Sequence, residues 1–126
     1  MIPLLILCFV LIFVAYRVLI STRLVSSLSV SEFSKRLQGA KKPQLLDVRT
    51  KMEFDQGHLK GAKHIPMRDL GARLAELTPG PLFLYCRSGH RSAMAARFLI
   101  SRGRQEVHNL SGGILAWESD GLPVEK

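Results

Sequence analysis

Cysteine is scarce in this chain of 126 residues: only Cys8 and Cys86 carry a thiol. Cys8 falls inside the apolar run "MIPLLILCFVLIFVAYRVLI", which has no charged side chain before Arg17. That placement separates it from Cys86 and excludes a disulfide between the two. The remainder of the chain therefore has one cysteine, too few for a thiolate zinc site. His58, His64, His90 and His108 show none of the paired spacing of zinc ligands, so neither a metal nor a cofactor is expected. Repeats and low-complexity tracts are absent as well. Acidic residues are outnumbered, ten against 18 Lys and Arg, for a net charge of +8. Arg17 and Arg23 account for two of those charges, and the rest are spread along the chain without a nucleic-acid-binding motif, so no nucleic-acid partner is expected.

What stands at the N-terminus is the opposite of scarce. Twenty predominantly apolar residues span roughly 30 Å as a helix, the thickness of one hydrocarbon core. A cleaved secretory signal would begin with basic residues and end in small ones, and this run does neither. Residues 1–23 are therefore expected to form a transmembrane anchor that meets lipid through residues 1–20. Residues 24–27 read as a polar linker, and 28–126 as the domain. All basic residues follow the span, which places that domain on the cytoplasmic side of an inner or plasma membrane, in a single-pass protein. Lys35, Arg36, Lys41 and Lys42 come close behind the span, where anionic headgroups attract them.

Along the domain, strand-like and helix-like segments alternate. Ser29 or Ser31 can cap a helix carrying Phe33 and Leu37 on one face and ending at Gly39. "PQLLDVR" reads as a buried strand ending at Asp47, followed by a short helix around Glu53, turns at Gly57 and Gly61, and a brief strand ending at Pro66. Leu70, Leu74 and Leu77 form a helical face, "GPLFLYC" a second apolar strand, and "SAMAARFLISRG" a helix closed by Gly103. "QEVHNLSGG" supplies a further strand and turn, and "ILAWESDGLP" a last helix stopped by Gly121 and Pro123, with Trp117 packed in the core. The alternation predicts an α/β fold with a parallel sheet and helices on both faces.

In that arrangement "YCRSGHRS" sets Cys86 where a strand ends and a helix begins. Parallel sheets bind ligands just beyond the carboxyl ends of their strands. The loop of Arg87, Ser88, Gly89, His90 and Arg91 points unpaired backbone N–H groups toward one centre, and the helix dipole adds positive potential there. Gly89 lets the chain turn, while Arg87 and Arg91 contribute cations. A thiol in such surroundings drops below its usual value of about 8.5 and becomes a nucleophilic thiolate near neutral pH.

Three ordered blocks give the sequence a family resemblance over roughly residues 28–124. "LLDVRTKMEFDQGHLKGAKHIP" is similar to the D-V-R, E-F and G-H-I-x-G-A-x-x-I-P signature of single-domain rhodaneses, with Leu59 in place of the commoner isoleucine. "YCRSGHRS" resembles their active loop, and "LSGGILAWESDGLP" their closing block. The resemblance implies the rhodanese fold, five parallel strands flanked by helices and here preceded by one transmembrane helix. It also implies sulfur transfer: Cys86 takes a sulfane sulfur from thiosulfate or a related small-molecule donor and holds it as a persulfide. A thiol acceptor, protein thiols included, or cyanide then removes it. Arg87 is expected to meet the donor's anionic end and Arg91 to fix the loop. Asp47, Arg49, Glu53 and His58 are expected as structural support, through an Arg49–Glu53 ion pair and an Asp47 hydrogen bond at the loop base.

Two other readings compete. A tethered sulfur carrier or binding module would use the same loop without turnover. Cysteine phosphatases use C-x5-R, whereas Cys86 to Arg91 is C-x4-R and Ser92 stands where that loop would need arginine. The shorter ring suits one sulfur atom better than a tetrahedral phosphate.

Overall fold

The computed structural model describes residues 2–126, the side chains of residues 20–24 excepted. Met1 and the Arg23 side chain, part of the expected anchor and of its orientation, lie outside the described residues. The apolar run forms α1 (Ile2–Leu24), 23 residues or about 34 Å of helix. By length and composition it can cross a membrane, a test that a signal sequence also passes, and the domain buries none of Ile2–Leu19.

The domain is a five-stranded sheet in which every pairing is parallel: β1 (Val25–Leu28), β2 (Gln44–Asp47), β3 (Lys63–His64), β4 (Leu82–Tyr85) and β5 (Val107–Leu110), in the spatial order β1-β5-β4-β2-β3. The expected α/β architecture is present. The expected linker 24–27 is not: most of it is edge strand β1, paired with β5 from Val25↔Val107 to Leu28↔Leu110. Its serines read as loop chemistry because nothing local compensates them. In the fold they are satisfied across the sheet, Ser26 Oγ by His108 Nδ1 and Ser27 Oγ by Asn109 Nδ2 at 3.2 Å.

Helices α2 (Val30–Gly39), α3 (Lys51–Gln56), α4 (His90–Ser101) and α5 (Gly113–Ser119) connect or follow the strands. Ser29, not Ser31, caps α2, accepting the Glu32 N–H at 3.3 Å. Thr50 and Glu53 form a reciprocal capping box on α3, which satisfies two backbone donors that a six-residue helix cannot bond itself. Leu70 and Leu74 lie on a 3-10 helix from Met67 to Glu76, broken at Arg73, and Leu77 follows its end. The three leucines still pack inward.

Central strand β4 is buried throughout, as a strand covered on both faces must be. Leu82 and Leu84 join one apolar cluster with Leu46, Leu70 and Leu99. Phe83 and Tyr85 join the other with Phe33, Leu45 and Trp117. Trp117 thus packs in the core as expected, and its Nε1 donates to Pro123 O at 3.0 Å. With β4 clamped from both sides, the next residue, Cys86, has a fixed starting point.

Candidate functional site

Cys86 is fully buried and its Sγ sits inside the turn that leads into α4. Gly89 N–H donates to Sγ at 3.1 Å, and the Ser92 hydroxyl lies 3.3 Å from it. Burial alone would push this thiol up. Hydrogen bonds from the Ser92 hydroxyl and from the backbone N–H groups of Ser92, Gly89 and Ser88 outweigh burial and hold it below the ordinary thiol value. The depressed thiol expected from the sequence is there, with the expected loop amides as donors and the Ser92 hydroxyl added to them.

Ser92 had no part in the expected site. Its single proton has three acceptors within reach: Asn109 Oδ1 at 2.5 Å, Cys86 Sγ at 3.3 Å and Gly89 O at 3.3 Å. Asn109 in turn donates to Gly89 O at 3.3 Å, so a buried polar pair braces the loop from below. The available signal was an amide in the strand "VHNL", whose apolar ends mark it as buried, so that the amide needs a partner. Replacing Ser92 by Ala removes the side-chain donor to the sulfur. The Cys86 titration, followed by thiolate ultraviolet absorbance, should then move to higher pH, and turnover at neutral pH should fall with the thiolate fraction. An unchanged titration would mean that the hydroxyl serves Asn109 alone.

Arg91 makes a two-pronged pair with Glu53, at 2.7 and 2.9 Å, tying the first turn of α4 to α3. This contact, with help from Thr50, holds the Glu53 carboxyl down at about 2. The expected Arg49–Glu53 pair is therefore not formed. Asp47 ends β2 and Arg49 stands two residues on, where the chain bends, and both are buried. Burying that carboxylate requires a cation beside it, and Arg49 Nη2 supplies one at 2.8 Å while also donating to Gly57 O at 2.6 Å. The capping box meanwhile points Glu53 toward α4. Asp47 Oδ1 accepts the Arg49 N–H at 2.9 Å, beneath the loop. His58 stacks on Phe54 with ring centroids 3.9 Å apart, and its Nδ1 lies 3.1 Å from Phe54 O.

Arg87, Ser88 and His90 are the exposed members of the loop. Arg87 has no ion-pair partner among the described residues. It lines a cavity of about 220 Å³ together with Arg49, Glu53, Gly57, Leu115 and Glu118. The α5 turn supports the loop's carbonyl side: Ile114 N–H donates to Cys86 O at 2.9 Å and Leu115 N–H to Arg87 O at 3.2 Å. With the carbonyls bonded outward, the loop's amides are left to face the sulfur. Among the described residues no cluster of His, Cys, Asp and Glu could hold a metal ion.

A family model described as "Rhodanese-like domain" matches residues 29–120. A sulfurtransferase of Allochromatium vinosum is 36% identical over 102 residues, covering 80% of this chain and 95% of the relative. The protein YqhL of Bacillus subtilis is 41% identical over 96 residues, covering 75% and 74%. Among solved structures, a rhodanese-related protein from Thermoplasma volcanium superposes with a TM-score of 0.71 at 28% identity, covering 79% of this chain and 97% of that one.

Proposed function

Since the chain belongs to the rhodanese-like domain family, whose fold it shares, we propose that it is a sulfurtransferase working through a Cys86 persulfide. The observation that carries this reading is the buried Cys86 sulfur, held below its ordinary pKa by donors converging from Gly89, Ser88 and Ser92. The thiolate attacks the outer sulfur of thiosulfate, an S–S bond forms, and sulfite leaves with the electrons of the broken bond. The persulfide carries its negative charge one atom further out, within the same set of amides. A thiol acceptor or cyanide attacks that outer sulfur, and Cys86 departs as thiolate. Arg87, exposed and unpaired beside the cavity, meets the donor's sulfonate end. Arg91, committed to Glu53, positions the loop.

Mass spectrometry after thiosulfate treatment tests this directly: a gain of one sulfur on the peptide containing Cys86 is expected, reversed by cyanide. A stable adduct that neither cyanide nor thiols discharge would support a sulfur carrier instead. No adduct at all would remove both readings.

The same proposal includes α1 as a membrane tether, with the domain on the cytoplasmic side because Arg17 lies at the domain end of the apolar span. A reporter fused after Lys126 should be active only in the cytoplasm. Activity on the far side of the membrane would reverse the orientation.

A further inference from the structure

The register of the sheet fixes where the reactive sulfur stands relative to α1. Val25 pairs with Val107 and Val107 with Leu82, so β1, β5 and β4 begin on the same rung. The last residue of α1, Leu24, immediately precedes that rung with no residue between helix and strand. Cys86 follows the far end of β4, four residues beyond Leu82. At about 3.3 Å per residue the sulfur's backbone lies ~13 Å further along the strand axis than the point where α1 joins the domain. Every pairing is parallel, so α1 enters at the edge where strands start and Cys86 lies at the edge where they finish.

Charge divides between the same two edges. At the starting edge, the connection from α2 to β2 carries Lys41 and Lys42, and the connection from α4 to β5 carries Arg102, Arg104 and Glu106. That is four cations to one carboxylate, and Arg104 is held there by the carbonyls of Thr78 and Gly80 at 2.7 and 2.8 Å. At the finishing edge, Arg87 is unpaired among the described residues, but the other exposed cations near the loop have acidic partners: Arg91 with Glu53, Lys51 with Asp55 and Arg68 with Asp69. The edge that adjoins α1 is thus the one with surplus positive charge, and anionic headgroups attract it.

We infer that the domain rests its strand-starting edge on an anionic bilayer and turns Cys86 toward water, so that its sulfur acceptor is a water-soluble thiol rather than a lipid-borne one. The inference rests on the tethered sulfurtransferase reading. It adds a substrate class: the acceptor thiolate attacks the outer persulfide sulfur from the aqueous side, takes that sulfur, and returns Cys86 as thiolate.

The test uses the full chain in vesicles of phosphatidylcholine and phosphatidylglycerol, loaded with thiosulfate and offered either glutathione or a phospholipid with a headgroup thiol in the same bilayer. Glutathione should discharge the persulfide, with the lipid thiol slower by roughly tenfold or more, because a tether that cannot span the distance gives almost no effective concentration. Inserting about ten Gly/Ser residues between Leu24 and Val25 adds a reach of ~17 Å and should raise the lipid-thiol rate several-fold while leaving the glutathione rate unchanged. Equal rates for the two acceptors in the parent chain, or an insertion that leaves the lipid rate where it was, would overturn the inference. Failure to gain sulfur from thiosulfate would overturn the sulfurtransferase reading, and failure to float with vesicles the tether, each visible before any acceptor is added.

Discussion

Cys86→Ser should abolish sulfur transfer from thiosulfate to cyanide, a loss on the order of a thousandfold or more, while the protein stays folded. The size follows from chemistry: a hydroxyl does not ionise near neutral pH and cannot form a persulfide, so the pathway loses its covalent step rather than a share of its binding energy. Retention of the fold follows from the surroundings. The Ser92 hydroxyl and the Gly89 N–H that now reach the sulfur can serve an Oγ in the same place. Replacing a buried thiol by a hydrogen-bonded hydroxyl costs about 1–2 kcal/mol, within the range of ordinary single substitutions. Thiocyanate production shows the first effect and thermal unfolding the second. In the parent, the rate should climb with pH as the thiolate forms, with its midpoint below that of an ordinary thiol, because the Cys86 pKa is lowered in the folded protein. Thiocyanate formed by the serine variant at the parent rate would remove Cys86 from the mechanism.

The elements that could be read from the sequence are those whose reasons are local. "GPLFLYC" is apolar at each successive position because β4 is covered on both faces, and that run alone delivers Cys86 to a strand end. Ser29, one of the two serines the sequence offers as a cap, closes the start of α2 by bonding an amide three residues on. What escaped depends on neighbours far along the chain. β1 looks like a linker until His108 and Asn109, 82 residues away, satisfy its serines. The partner of Glu53 is Arg91, 38 positions on, and the nearer Arg49 is unavailable because Asp47 has already drawn it into the interior. The loop's thiol was legible as an anion site from strand, glycine and helix. Its side-chain donor was not, since Ser92 acts from within α4 and is oriented by an asparagine on another strand.

The second large effect is expected at Gly113, far from the loop in sequence and in contact with it in space. A Cβ placed there would lie 2.3 Å from Arg87 O and 2.5 Å from both Arg87 C and Cys86 O. All three are backbone atoms, so no side chain can swing aside. Gly113 also has a φ of +60°, in the left-handed region that costs an alanine about 1 kcal/mol or more. Relief requires the α5 turn and the Cys86 loop to separate by about 1 Å, which stretches the Ile114 N–H bond to Cys86 O and the Leu115 N–H bond to Arg87 O. A misplacement of that size at a reacting group costs on the order of a hundredfold in rate. Gly113→Ala should therefore lower persulfide formation about a hundredfold and destabilise the fold by roughly 2–4 kcal/mol. Gly103→Ala separates the two causes. Gly103 also has a positive φ, +99°, but a Cβ there meets nothing within 4 Å and it lies at the edge away from Cys86. That variant should lose about 1 kcal/mol of stability and keep its full rate. If Gly113→Ala also keeps the parent rate, the carbonyl side of the loop is not held by α5, and the convergence of amides on the sulfur needs another cause.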